Sequence, residues 1–151
     1  MEASWLLPDL DDPDGRPFWE GTRRGELLMQ YCADCGRPRM PPRPMCAACN
    51  SLRHEWKPMS GRGSIWSFIV PHPPLLPAYA ELAPYNVVVV ALDEDPTLRL
   101  VGNLVASPDG AINEIDPATI RIGEPVRVVF QKVEDVHLPR WLRLSINLLR
   151  S

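Results

Sequence analysis

Apolar and polar positions alternate with a period of two over most of the chain, which predicts a β-rich fold. Ile65, Ser67 and Ile69 alternate with Trp66, Phe68 and Val70 after Gly61-Arg62-Gly63. Asn86 to Asp93 is a continuous apolar run, the pattern of a strand buried on both faces. Leu98, Leu100 and Leu104 alternate with Arg99, Val101 and Asn103. A fourth strand is predicted from Val126, Val128 and Phe130 against Arg127 and Gln131. A fifth is predicted from Leu142, Leu144 and Ile146 against Trp141, Arg143 and Ser145. Asp93-Glu94-Asp95-Pro96 and Ser107-Pro108-Asp109-Gly110 are turns, the first an acidic loop tip. Between the third and fourth strands, Asp116 caps one predicted helical turn over Pro117-Ala118-Thr119. Five strands with a small helix in that place match an OB-fold barrel, in which closure removes exposed edges. A glycine opening the first strand permits the sharp coil such a barrel needs.

The first third has a different pattern. Glu26 to Tyr31, Arg39 to Pro44 and Leu52 to Lys57 outline three short strands around two cysteine pairs. Cys32-Ala-Asp-Cys35-Gly36 is followed, after ten residues from the first pair to the second, by Cys46-Ala-Ala-Cys49-Asn50. Two residues between cysteines let one tight turn aim both sulfurs at a single point, and four thiolates surround a zinc ion tetrahedrally. Gly36 and Asn50 are the residue types that most readily take the left-handed backbone expected after each pair. Two disulfides are disfavoured in a chain with no visible signal peptide, and a redox C-x-x-C needs only one pair. The same four-sulfur set also suits iron. With all four positions filled by protein, the ion is structural, not catalytic. Upstream, residues 1–14 are acidic and extended, and Asp14 is the predicted cap of a short helix carrying Pro17, Phe18 and Trp19. Two large aromatics on a short helix call for a surface to cover, on this chain or on a partner.

The expected fold is therefore mainly β: an N-terminal arm and helix over 1–25, a rubredoxin-like zinc ribbon over 26–58, and a five-stranded OB-fold barrel over 59–151. At 151 residues with 45% hydrophobic and 23% charged, the composition is that of a globular protein. The longest apolar run is far below the roughly 20 residues needed to span a bilayer, and the cytosol is the expected compartment. A net charge of −3 argues against nucleic acid as the partner. Proline, at 18 residues, is about twice the ordinary rate and gathers in loops, which stiffens them.

The ordered motifs resemble one known family. These are Pro17-Phe18-Trp19, Gly25-Glu26-Leu27, Cys32-Ala-Asp-Cys35-Gly36, Pro41-Pro42-Arg43-Pro44-Met45-Cys46, Trp56, Gly61-Arg62-Gly63-Ser64, Pro84-Tyr85 and Ile122-Gly123-Glu124-Pro125-Val126. Together they resemble the zinc-ribbon/OB-fold proteins called domain of unknown function thirty-five, over nearly the whole chain. The resemblance implies a companion subunit of a thiolase-like enzyme in acyl-CoA metabolism, including retro-aldolases that shorten steroid side chains. In such assemblies the thiolase-like subunit performs the chemistry, and the companion stabilises it and helps shape the CoA-thioester site. Some members are fused to a hydratase-like domain, for which 151 residues leave no room.

Within this chain the cysteines are all expected to be ligands, so no catalytic residue is assigned. His54, His72 and His137 are scattered. Arg39 and Arg43 flank the second cysteine turn and can grip CoA phosphates through charge-assisted bonds. The stiff loop from Pro71 to Pro84 offers Leu75, Leu76 and Tyr79 to a partner, beside Phe18 and Trp19. Two other functions fit the same architecture. One is a single-stranded nucleic-acid module stacking bases on Trp66 and Phe68. The other is a free-standing acyl-CoA hydrolase.

Overall fold

The computed structural model describes residues 5–144. It is mostly β, with a short N-terminal helix, a four-cysteine ribbon and a curled five-stranded OB-fold sheet.

Helix α1 spans Arg16–Arg23. Gly15 occupies the N-cap and no side chain caps the helix from that position, so Asp14 is not its cap. The carboxylate of Asp12 instead accepts the backbone N–H groups of Asp14 and Gly15. The helix therefore begins one residue later than the pattern suggested, with Asp12 bracing the turn that precedes it. Phe18 is 4% exposed and joins the core, while Trp19 packs partly buried on its edge at a ring separation of 4.9 Å.

The ribbon consists of β1 (Leu28–Cys32), β2 (Pro38–Arg39) and β3 (His54–Pro58), in the order β2-β1-β3. The return strand predicted over Arg39–Pro44 is only two residues long, because four prolines between Pro38 and Pro44 remove ladder donors. β1 pairs antiparallel with β3 from Leu28↔Pro58 to Cys32↔His54, which delivers Cys32 at the strand's end.

The barrel begins with β4 (Arg62–Ile69) and continues with β5 (Val87–Leu92) and β6 (Arg99–Gly102). It ends with β7 (Pro125–Val133) and β8 (Val136–Arg143), in the order β6-β5-β4-β7-β8. β4 pairs with β5 along its length and with β7 at Arg62, Gly63 and Ser64, so one strand serves both halves. A bulge between Ile65 and Ser67 leaves Trp66 half exposed. The ends of the sheet meet where Leu104 bridges Trp141 in parallel, with Val105 N–H donating to Trp141 O at 2.9 Å. The small helix is a 3-10 turn over Pro117–Thr119, and Asp116 accepts from the Ala118 N–H as expected.

The last strand starts earlier than its alternation predicted. It begins at Val136, after a tight turn in which Glu134 has φ 52°, and ends at Arg143. Leu144 lies beyond it, and Ser145 and Ile146 fall outside the described residues. Pro139 lies inside this strand, which a proline tolerates here because β8 stands at one end of the sheet order. The loop after β4 also holds a short helix, α2 (Pro77–Ala80).

One core joins the three parts. Phe18 of α1 and Leu27 and Met29 of the ribbon pack with Ile65, Val90, Leu100 and Trp141 of the barrel. A second cluster gathers Tyr85, Val105, Ile112, Val129 and Leu142, with Trp5, Leu75 and Tyr79 packed against it.

Candidate metal centre and flanking cavities

The two cysteine turns are built alike. Gly36 N–H donates to Cys32 O at 3.0 Å, and Asn50 N–H donates to Cys46 O at 2.9 Å. Gly36 has φ 75° and Asn50 has φ 61°, the left-handed conformations those residue types were expected to supply. The turns are tied together by Asp34, which accepts from the Ser51 hydroxyl and from Arg53 Nη1.

The sulfurs of Cys32, Cys35, Cys46 and Cys49 all lie within 4.8 Å of one another. Cys32 and Cys49 are 3.6 Å apart, as are Cys35 and Cys46. A tetrahedral site with Zn–S bonds of about 2.3 Å has edges of about 3.8 Å, so the donor set fits zinc. The thiols are unevenly tuned. The Cys35 N–H is the main influence lowering Cys32, to about 6. Cys46 is lowered in the same way by the N–H of Cys49 and then of Ala48. At Cys49 the Ser51 N–H acts downward, but the three other thiols and burial push it up to about 12. Four clustered thiolates repel one another, and a dication between them removes that penalty.

Beside this centre lies a cleft of about 350 Å³ lined by Arg37, Arg39 and Arg43 together with Met40, Ala48 and Thr97. Arg39 is clamped: Nε donates to Gln30 Oε1 at 2.6 Å and Nη2 to the Arg43 carbonyl at 2.9 Å. Its Nη1 is buried with no partner among the described residues. The same Gln30 oxygen accepts the Arg43 N–H at 2.8 Å. A polar residue inside the apolar stretch Leu27–Tyr31 was the available signal for Gln30, which is buried in β1.

A second cavity, of about 660 Å³, opens between the N-terminal arm, α1 and the barrel. Arg140 lines it and is 5% exposed. Burial pulls its guanidinium below the ordinary value. Nothing in the sequence distinguished this arginine from the other thirteen.

The remaining expected sites are dispersed. Leu76 is 60% exposed, whereas Leu75 and Tyr79 are half-buried against the second cluster. His54 and His72 are exposed and His137 is half-buried, all on separate segments. Trp66 carries Arg99 over its ring at 3.8 Å, and Phe68 packs against the core. Glu94, in the acidic turn, accepts the Ser60 N–H at 2.9 Å and so ties the barrel to the segment leaving the ribbon. No helix among the described residues is long and apolar enough to cross a membrane.

A four-sulfur ribbon sharing a core with a five-stranded barrel defines a zinc-ribbon/OB-fold protein. Residues 19–55 match the model of the ChsH2 rubredoxin-like zinc ribbon domain, and residues 56–131 match that of the ChsH2 C-terminal OB-fold domain. The chain belongs to this ChsH2/DUF35 family. It is 34% identical, over an alignment that covers 89% of its length, to the 3-oxo-4,17-pregnadiene-20-carboxyl-CoA hydratase alpha subunit of Mycobacterium tuberculosis, and spans 42% of that protein. It is 32% identical to a DUF35 domain-containing scaffold protein of Methanothermobacter thermautotrophicus, over 75% of this chain and 77% of that one. Among solved structures, it superposes with TM-score 0.75 and 32% identity on a chain of "Ltp2-ChsH2(DUF35) aldolase", covering 90% of this chain and 98% of that one.

Proposed function

We propose that this chain is a non-catalytic accessory subunit of a thiolase-like enzyme that makes or breaks a carbon–carbon bond in acyl-CoA thioesters. A retro-aldolase acting on a steroid-like side chain is the concrete version. The observation that carries this is the likeness to a chain of the Ltp2-ChsH2(DUF35) aldolase over almost its whole length. The names of the relatives, a scaffold and a hydratase alpha subunit, agree with a supporting role.

Within the assembly, Cys32, Cys35, Cys46 and Cys49 hold one structural zinc ion. The ion's part is to fix the ribbon, and with it the position of Arg39 and Arg43. These two arginines meet the phosphates of a CoA thioester shared with the partner. The proposal is supported by the clamp that Gln30 and the Arg43 carbonyl place on Arg39, and by the buried Nη1 that this clamp leaves over. A charged donor held in one geometry loses little entropy on meeting a phosphate. Leu76 and Trp19 offer apolar surface to the partner, with Leu75 and Tyr79 supporting it from below and Phe18 anchoring α1 in the core. The cytosol is the proposed compartment, since it keeps four thiols reduced.

Co-purification with a thiolase-like partner protein tests the assignment. The expected result is a hetero-oligomer on a sizing column, with carbon–carbon bond cleavage only when both chains are present. Full activity from the partner alone, with no complex, overturns it.

A further inference from the structure

Arg140 is buried without a counter-ion. Its Nε donates to Gln131 Oε1 at 3.0 Å and its Nη1 donates to Asn103 Oδ1. Both acceptors are neutral amides. Nη2 is buried with no partner, and none of the five ion pairs among the described residues includes Arg140. Arginine is rarely buried unless an anion or a full set of acceptors accompanies it, so the arrangement lacks one negatively charged group. The indole of Trp5 lies over the guanidinium at 5.7 Å, which offers a π face but no lone pair.

The cavity that Arg140 lines is otherwise largely apolar. Trp5, Trp19, Tyr79, Tyr85 and Leu100 form much of its wall, and its 660 Å³ falls in the range of small-molecule sites. Trp5 belongs to the arm that precedes α1 and stands edge-on to Tyr79 at 5.6 Å. Trp5 is only partly buried at the edge of the second cluster, so its ring moves aside more easily than a side chain locked in the core.

We propose that this cavity binds an apolar molecule carrying a carboxylate, whose body lies among the aromatic walls and whose oxygen accepts from Arg140 Nη2 once Trp5 swings off the guanidinium. The site shares Met40 and Pro41 with the Arg39 cleft but uses neither of that cleft's clamped arginines, and it does not depend on the assignment of a thiolase-like partner.

Titration of the zinc-loaded chain with dodecanoate below its micellar concentration, and in parallel with dodecanol, tests this. Trp5 and Trp19 in the wall make intrinsic fluorescence the readout. Dodecanoate is expected to bind on the order of tenfold or more tightly than dodecanol, because only the charged head satisfies Nη2. Arg140→Gln is expected to bring the two affinities within about threefold, since it removes the charge-assisted hydrogen bond. The wild-type comparison holds even where that variant fails to fold. Hydrogen exchange on the wild-type complex then locates the ligand, with protection expected at Arg99–Asn103 and Leu138–Trp141. Equal affinity for acid and alcohol, no binding of either, or protection confined to other surfaces overturns the proposal.

Discussion

The side chain of Asn86 clasps the backbone of Leu104 at both of its polar groups. Nδ2 donates to the Leu104 carbonyl at 2.9 Å, and Oδ1 accepts the Leu104 N–H at 2.6 Å. Nδ2 also donates to the Ile112 carbonyl at 3.2 Å, and the Asn86 carbonyl accepts from Asn103 Nδ2. Leu104 is the residue that bridges Trp141 to close the barrel, so a fully buried amide supports the closure. Asn86→Leu removes the acceptor and both side-chain donors and leaves buried backbone groups unsatisfied. A loss of about 3 kcal/mol follows, or roughly 6–12 °C in Tm. Thermal unfolding of zinc-loaded protein measures it. A shift below about 2 °C, smaller than one lost buried hydrogen bond predicts, defeats the argument.

Metal removal acts first on the ribbon. Its longest strand has five residues, and the cysteine turns carry little apolar packing of their own. Structural zinc contributes about 10–16 kcal/mol of apparent folding energy in isolated peptides, more than so small a sheet can replace. One equivalent of zinc is expected by elemental analysis, and none in Cys46→Ser. Chelation is expected to abolish amide protection in Leu28–Cys32 and His54–Pro58 before the barrel strands lose theirs. Metal-free protein with an unchanged exchange pattern contradicts this order.

The parts legible in the sequence are those where one residue type has one physical use. Paired cysteines followed by Gly36 and Asn50 specify two left-handed turns around an ion, and the φ values agree. The alternation of Ile65 and Ser67 with Trp66 marks a strand even though a bulge interrupts its register. Where a residue's role depends on what the fold brings near it, the sequence is silent. The start of β8 at Val136 precedes its apolar alternation, and its pairing with β7 places it at one end of the sheet. Glu94 looks like a solvated tip until Ser60 arrives from 34 residues away. Arg140 differs from a surface arginine only through Asn103 and Gln131, which the barrel supplies.

Gln30 positions two chain segments with one oxygen, which accepts both Arg39 Nε and the Arg43 N–H. Gln30→Leu keeps the volume but withdraws that acceptor. The stability cost is about 1–3 kcal/mol for the stranded donors. In the assembly proposed above, the freed Arg39 no longer presents a fixed guanidinium. The KM for the CoA thioester should then rise by about tenfold with little change in kcat, since ground and transition states lose the same contact. Arg39→Ala should match it. A fall in kcat with KM unchanged argues against phosphate binding at this cleft.

Gly63 and Gly25 separate two reasons for a glycine. Gly25 has φ 79° with open space around it, so an added Cβ meets no atom and only the left-handed backbone resists it. Alanine there costs about 1–2 kcal/mol. Gly63 has no such backbone demand, but its Cβ would run into the Ala91 carbonyl and, at 2.7 Å, Val90 Cγ1. Gly63 pairs with Leu92 on one side and Val126 on the other, so the strand cannot retreat without lengthening ladder bonds to β5 or β7. Steric overlap with backbone on a doubly paired strand should outweigh conformational strain at a free turn. Gly63→Ala is therefore expected to cost about 3 kcal/mol, at the upper end for overpacking, and to slow recovery of barrel structure. Denaturant unfolding of both variants at equal zinc occupancy decides the ranking. If Gly25→Ala proves the more damaging, the close approach of β4 to β5 is not what requires glycine at position 63.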